Sequence, residues 1–262
     1  MGAVNFERIG KTAVITINRE EAANALNLAV WTGLTQAWNE AREDDDIWTL
    51  VVTAAGSKAF CAGADLKETI ERKEQAEKIG QKFVSAMPLK TPMKGIDMPK
   101  PVIAAINGIA VGGGLELALA CDIRIAAEHV RLGLPEVGRG LIPAAGGCVR
   151  LPRLIPYGLA IEMLCTGELV TAQEAYRIGL VNRVVPAEAL MSTAMAMAEK
   201  INEKGPLAVR AAKEAALANF QVPLSDAMHI ETLVLARLRQ TEDAWEGPKA
   251  FSEKRKPVFK GR

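Results

Sequence analysis

Strand-forming segments occupy only the first part of this chain, and that asymmetry limits the folds open to it most. Short β-branched or apolar runs at residues 12–17, 48–54, 101–106, 122–126 and 180–185 read as strands. Helical patterns separate them. Asn27 is placed to cap a helix over residues 27–42, where Leu28, Trp31, Leu34 and Trp38 recur every three or four positions. Thr171-Ala-Gln-Glu174 is a capping box ahead of a short helix that stops at Gly179. Strands alternating with helices predict an α/β core. After Pro186 the pattern changes. Residues 187–203, 206–220 and 224–240 read as helices, and a last helix begins near Thr241. The chain is therefore expected to divide into an α/β core over residues 1–186, holding the active site, and an all-helical region over residues 187–262.

Composition removes several function classes. At 262 residues the chain can bury one large core without staples. A formal net charge of +1 gives no global field toward nucleic acid or an anionic membrane, so an anionic ligand must be held by local groups. Cys61, Cys121, Cys148 and Cys165 are widely spaced, which predicts neither a zinc site nor a disulfide framework. The opening residues lack the basic and apolar regions of a signal peptide. The most apolar stretch, residues 101–121, is broken by Asn107, Glu116 and several glycines and is a poor membrane span. A cytoplasmic enzyme is the expectation. With only His129 and His229 present, and neither in a recognisable motif, carboxylates are the better candidates for proton transfer. The charged stretch 67–82 and the following residues 87–95 read as a mobile polar helix and loop.

Three segments carry candidate chemistry. In Lys58-Ala-Phe-Cys-Ala-Gly-Ala-Asp-Leu-Lys-Glu68, small residues follow a strand and precede a helix. That suits an ordinary connection, and it also suits a backbone amide such as that of Ala64 facing an oxyanion. In Asn107 to Cys121, Gly112, Gly113 and Gly114 lead directly into an apolar helix whose free N–H groups favour developing negative charge. Glu116 lies in its first turn, either as a surface carboxylate answering the helix dipole or as a catalytic group. In the third segment, Glu136 is an isolated carboxylate in an apolar, glycine-rich loop, where Pro135-Glu136 also fits a plain helix start.

Taken together, these segments resemble the crotonase, or enoyl-CoA hydratase/isomerase, superfamily. The likeness rests on Ala59-Phe-Cys-Ala-Gly-Ala-Asp-Leu-Lys67, on Lys100 to Gly108 running into Gly112-Gly-Gly-Leu-Glu116, and on Pro135-Glu136, Ile142-Pro143 and Gly146-Gly147. Thr166-Gly167, Ala172 with Ala175, Gly179-Leu-Val181 and residues 242–255 extend it to the C-terminus. The resemblance implies a spiral of strand-strand-helix units followed by helices that mediate a homotrimer or a dimer of trimers. It implies an acyl-CoA thioester as partner and no cofactor beyond the coenzyme A carried by the substrate, with no metal. By the same likeness, Ala64 and Gly113 supply the oxyanion amides, and Ala62, Ala64, Asp65, Leu66, Lys67 and Gly113 meet the CoA thioester. Glu116 and Glu136 match the pair of glutamates used by the family's hydratases, with Glu136 exchanging the α-carbon proton and Glu116 handling the water.

Some positions depart from the family pattern. Asn-Arg-Pro is Asn18-Arg19-Glu20 here, Leu134 stands where many hydratases have glutamine, and Ala144 replaces a frequent glycine. Leu134 and the ending Glu246 to Val258 are similar to carnitinyl-CoA dehydratase-like hydratases. An enoyl-CoA isomerase or acyl-CoA hydrolase on the same scaffold is the alternative, and Glu116 argues against a pure isomerase. An RNA-binding relative fits poorly with the balanced charge. Residues 68–98 are expected to shape the acyl pocket, and the basic end, residues 254–262, to be a solvated tail or, as the resemblance allows, a contact to a CoA phosphate at a neighbouring subunit.

Overall fold

A computed structural model of the chain describes residues 2–83, 87–220 and 222–262. Residues 84–86, inside the stretch expected to shape the acyl pocket, lie outside the described residues. Along the chain the strands are β1 (Val4–Ile9), β2 (Thr12–Ile17), β3 (Thr49–Ala54), β4 (Ala59–Cys61) and β5 (Val102–Ile106). They continue as β6 (Ile109–Val111), β7 (Ile123–Ala127), β8 (Arg131–Gly133), β9 (Val170–Thr171) and β10 (Arg183–Val185). The helices of the core are α1 (Leu28–Glu43), α2 (Leu66–Lys78), α3 (Gly113–Ala120), α4 (Gly147–Leu154), α5 (Tyr157–Thr166) and α6 (Ala172–Arg177). After Pro186 come α7 (Leu190–Asn202), α8 (Pro206–Ala218), α9 (Leu224–Leu238) and α10 (Asp243–Ser252).

Two sheets form, and the chain alternates between them. The larger has the order β1-β2-β3-β5-β7-β10, and the smaller β4-β6-β8-β9. Consecutive strands β3 and β4, β5 and β6, and β7 and β8 each place one member in either sheet, and a helix or helical turn follows each pair. This is the α/β spiral expected from the sequence. Every residue of β3 and β5 is buried, as a parallel sheet covered on both faces requires. Strand β1 was not foreseen, because Asn5, Glu7 and Arg8 break its apolar pattern. It pairs antiparallel with β2 along one edge of the large sheet, where such polarity discourages further pairing.

The expected caps are in place. Asn27 accepts a hydrogen bond from Val30 N at 2.9 Å, and Thr171 accepts one from Glu174 N at 3.2 Å. The far end of α1 is held by a buried lysine. Lys100 Nζ donates to Ala41 O and Asp44 O, both at 2.6 Å, and so satisfies carbonyls left over at the end of the helix. Lys100→Met should cost about 2 to 3 kcal/mol in urea unfolding, since two charge-assisted bonds are lost and the Ala41 carbonyl stays buried. A loss below about 0.5 kcal/mol would show that water replaces them.

The region after Pro186 begins inside the core. Helix α7 packs on β2, β3, β5 and β7 with Ala194 and Ala198 fully buried, and Asn202 bonds to both Thr49 and Thr12. Helix α9 is different. It buries only Ala227 and Val234, while Leu224, Met228, Leu233 and Leu235 are exposed. The C-terminal tail keeps most of its residues in solvent, as expected, and is docked through its backbone. Both carboxylate oxygens of Asp243 accept from the tail, one from Lys260 N and one from Gly261 N, each at 2.7 Å. No helix among the described residues is long and apolar enough to cross a membrane.

Candidate active site

Strands β4, β6 and β8 are parallel neighbours, so the segments leaving their C-terminal ends lie side by side. Those segments carry Ala62 to Asp65, Gly112 and Gly113, and Leu134 to Glu136. The small sheet therefore gathers the three candidate segments at one rim, although they are far apart in sequence.

Ala64 and Gly113 come together there. Gly63 has φ +88°, and a side chain on it would stand 2.9 Å from Val111 O and 3.2 Å from Gly113 N. Only glycine permits that approach. Ala64 forms a parallel bridge to Leu26, in which Leu26 N donates to Gly63 O and Asp65 N donates to Leu26 O. That pattern turns the Ala64 N–H away from Leu26. Gly113 is the first residue of α3, so its N–H has no partner within the helix. The two amides sit in adjoining segments, and Ala64 itself is exposed.

Glu116 is not the surface carboxylate that the helix dipole alone would allow. It is only 3% exposed, and its Oε1 accepts from Ala145 N at 2.7 Å and Gly147 N at 2.8 Å. Burial pushes its pKa up to about 7. The Gly147 amide opposes that rise, neighbouring Glu136 adds to it, and the Ala145 amide and the Arg150 charge moderate it. Glu136 is half-buried in a helical turn over Pro135–Arg139, and its Oε2 is buried without a hydrogen-bond partner. Burial raises its pKa as well, against a hydrogen bond from its own backbone and the charge of Arg139. A side chain on Gly112 would lie 3.0 Å from Glu136 Oε1, which places this carboxylate beside the Gly113 amide. Two carboxyls with raised pKa values, close enough to feel each other, suit the exchange of protons near neutral pH.

The remaining sequence candidates line or support this rim. Ala62 N donates to Ala23 O at 3.1 Å. Asp65 caps α2 through Glu68 N at 3.1 Å and pairs with Arg19 at 2.7 Å, and Arg19 and the capping amide hold its pKa low. Both oxygens are thus engaged within the protein, and Asp65 fixes the loop. Leu66 and Lys67 are exposed on the first turn of α2. Leu134 is fully buried beside Gly147, forming an apolar wall behind the Glu116 loop. His129 and His229 are exposed, the former 3.2 Å from Ser57 O.

Sequence reasoning missed the groups that hold Glu116. The amides of Ala145 and Gly147 come from residues 29 and 31 positions further on, and Arg150 lies next to them. Cys148 was also missed. It is exposed on α4, where partial burial raises its thiol pKa first and the charges of Glu116 and Glu136 raise it further. The Gly146-Gly147 pair was the one local signal.

Comparison with known proteins points the same way. A sequence model of the enoyl-CoA hydratase/isomerase family matches residues 7–262. The (E)-benzylidenesuccinyl-CoA hydratase of Thauera aromatica is 43% identical over 259 residues, spanning 98% of this chain and 99% of that protein. The short-chain-enoyl-CoA hydratase of Clostridium acetobutylicum is 42% identical over 260 residues, 99% of this chain and 98% of its own. Among solved structures, an enoyl-CoA hydratase from Bacillus anthracis superposes with a TM-score of 0.89 at 43% identity, covering 99% of this chain and 100% of that one.

Proposed function

The chain belongs to the enoyl-CoA hydratase/isomerase family, and from that premise we infer that it adds water reversibly across the 2,3-double bond of an enoyl-CoA thioester. The observation that carries the reading is a buried and a half-buried carboxylate, close to each other and beside two adjoining backbone amides. In the hydration direction, Glu116 takes a proton from water as the water oxygen bonds to C3. The π electrons move through C2 onto the thioester oxygen, where the N–H groups of Ala64 and Gly113 receive the charge. Glu136, protonated at the start, delivers its proton to C2 as the carbonyl re-forms. One water is consumed, and the two glutamates have exchanged protonation states. Exchange with solvent restores them. Having one proton between the pair is favourable, because two close buried carboxylates do not both ionise freely. The chemistry involves no change of oxidation state, and the reading calls for no cofactor beyond the substrate's own coenzyme A. Loss of enoyl-thioester absorbance on adding the protein to crotonyl-CoA tests it. No loss with crotonyl-CoA or with longer, branched and aromatic enoyl-CoAs would refute it.

The same reading includes an assembly of three subunits or a pair of such trimers. Helix α9 exposes apolar side chains well beyond the narrow stripe that it buries, and such a helix is stabilised by a second surface. Cyclic closure supplies one from an identical chain. Sedimentation at assay concentration should give at least three chains per particle. A fully active monomer would refute the assembly and leave the hydration chemistry untouched.

A further inference from the structure

Arg150 makes contacts that the reaction as written does not use. It projects from α4, and its Nη1 donates to Ala145 O at 3.2 Å while its Nη2 donates to Met93 O at 2.7 Å. Ala145 is the residue whose N–H, with that of Gly147, grips Glu116 Oε1. Met93 belongs to a tight turn closed by Thr91 N to Lys94 O at 2.7 Å and Lys94 N to Thr91 O at 2.9 Å, and Thr91 and Met93 are almost fully buried. The guanidinium thus ties the glycine-rich loop at residues 144–147 to the buried turn at residues 91–94. Gly146 makes room for it. That residue has φ +117°, and a side chain there would stand 1.9 Å from Arg150 Nη1.

We propose that Arg150 is a positioning residue for Glu116, bracing the backbone amides that aim its carboxylate and supplying the nearby positive charge. The role rests on the reading of Glu116 as a catalytic carboxylate. Removing Arg150 acts twice in one direction. The loop loses its brace, so the Ala145 and Gly147 amides bind ionised Glu116 less well, and the attractive charge is gone. Both changes favour the protonated carboxyl, so the midpoint of Glu116 moves up and less of the base is ionised at neutral pH. The titratable or charged groups described around it are Glu136 from the turn after β8, and Cys148 and Arg150 from α4. Arg139 acts on Glu136, and Cys121 at the end of α3 acts on Arg150. Among the described residues, Arg150 alone brings both a hydrogen-bonded brace and a positive charge to the loop that holds Glu116.

The test follows Glu116 directly. Infrared difference titration of the full-length protein reports the protonated carboxyl band, assigned by its loss in Glu116→Gln. Arg150→Met should move that midpoint upward by about 1 to 2 pH units. The acidic limb of the kcat/KM profile should move with it, so activity lost at neutral pH returns in part at higher pH. Gly146→Ala keeps the arginine but evicts its head, and should shift the midpoint in the same direction. It carries the test if Arg150→Met fails to fold. An unmoved Glu116 midpoint in a folded variant overturns the proposal, even if the protein is stabilised or weakened. If the wild-type protein hydrates no enoyl thioester, the functional reading falls, while the infrared midpoint still decides whether Arg150 controls this carboxyl.

Discussion

Glu116→Gln and Glu136→Gln should each slow hydration of an enoyl-CoA by roughly 10²- to 10⁴-fold, the range of positioned acid–base groups. Glutamine keeps the shape and, at position 116, an oxygen that accepts from Ala145 N and Gly147 N, so folding should survive. What it lacks is a transferable proton. Steady-state kcat with circular dichroism as the control decides the matter, and near-wild-type turnover in either variant would remove that residue from the mechanism. Glu116→Gln should also stabilise the protein above neutral pH. The folded pKa of Glu116, about 7, exceeds the ordinary glutamate value of 4.5. Its ionisation therefore opposes folding. The penalty is absent below the unfolded pKa, grows as pH rises, and is complete above about 7. Removing the group should add about 1 to 3 kcal/mol in chemical unfolding at pH 8 and little at pH 4. Lower activity with higher stability is the signature of a carboxyl kept for chemistry.

Gly113→Pro should be the other severe substitution. Proline is tolerated at the first position of a helix, where its missing N–H has no helical partner. The fold of α3 should therefore remain while one proposed oxyanion donor disappears. Loss of such a donor costs about 3 kcal/mol in the barrier, or on the order of 10²-fold in kcat. Gly113→Ala separates crowding from the lost amide. Its added carbon would meet Leu26 Cδ1 at 2.9 Å, the movable end of a side chain, and should cost far less. Equal damage in both variants would assign the effect to crowding, and full kcat in a folded Gly113→Pro would clear the amide of any role.

Local signals were legible in the sequence, and distant ones were not. Asn27 and Thr171 announced their helices because a cap needs only residues three positions ahead. Strands β3 and β5 were visible as apolar runs because both faces of the large sheet are covered. Strands β4, β6 and β8 have three residues each, too few for alternation to register, yet they align the candidate segments. Glu116 and Glu136 stood out as carboxylates among glycines and apolar residues. Whether Glu116 faced solvent or the interior depended on residues 145–147, and nothing beside it in sequence carried that information. Lys260 and Arg262 signalled the tail's solvated side chains, but not its docking, which is made by backbone N–H groups meeting Asp243.

The position of α7 bears on how this protein emerges from the ribosome. Strand β3 ends at Ala54, but the helix that packs on it is finished only at Asn202, which bonds to Thr49 across 153 residues and to Thr12 across 190. At ordinary synthesis rates the nascent sheet stays without that cover for roughly 10 to 30 s. A growing parallel sheet in that interval presents apolar surface and unpaired strand edges to its neighbours, while its long-range pairings form slowly. Cover for the sheet thus arrives late in synthesis, and slower elongation lengthens the interval in which its apolar face is open to solvent.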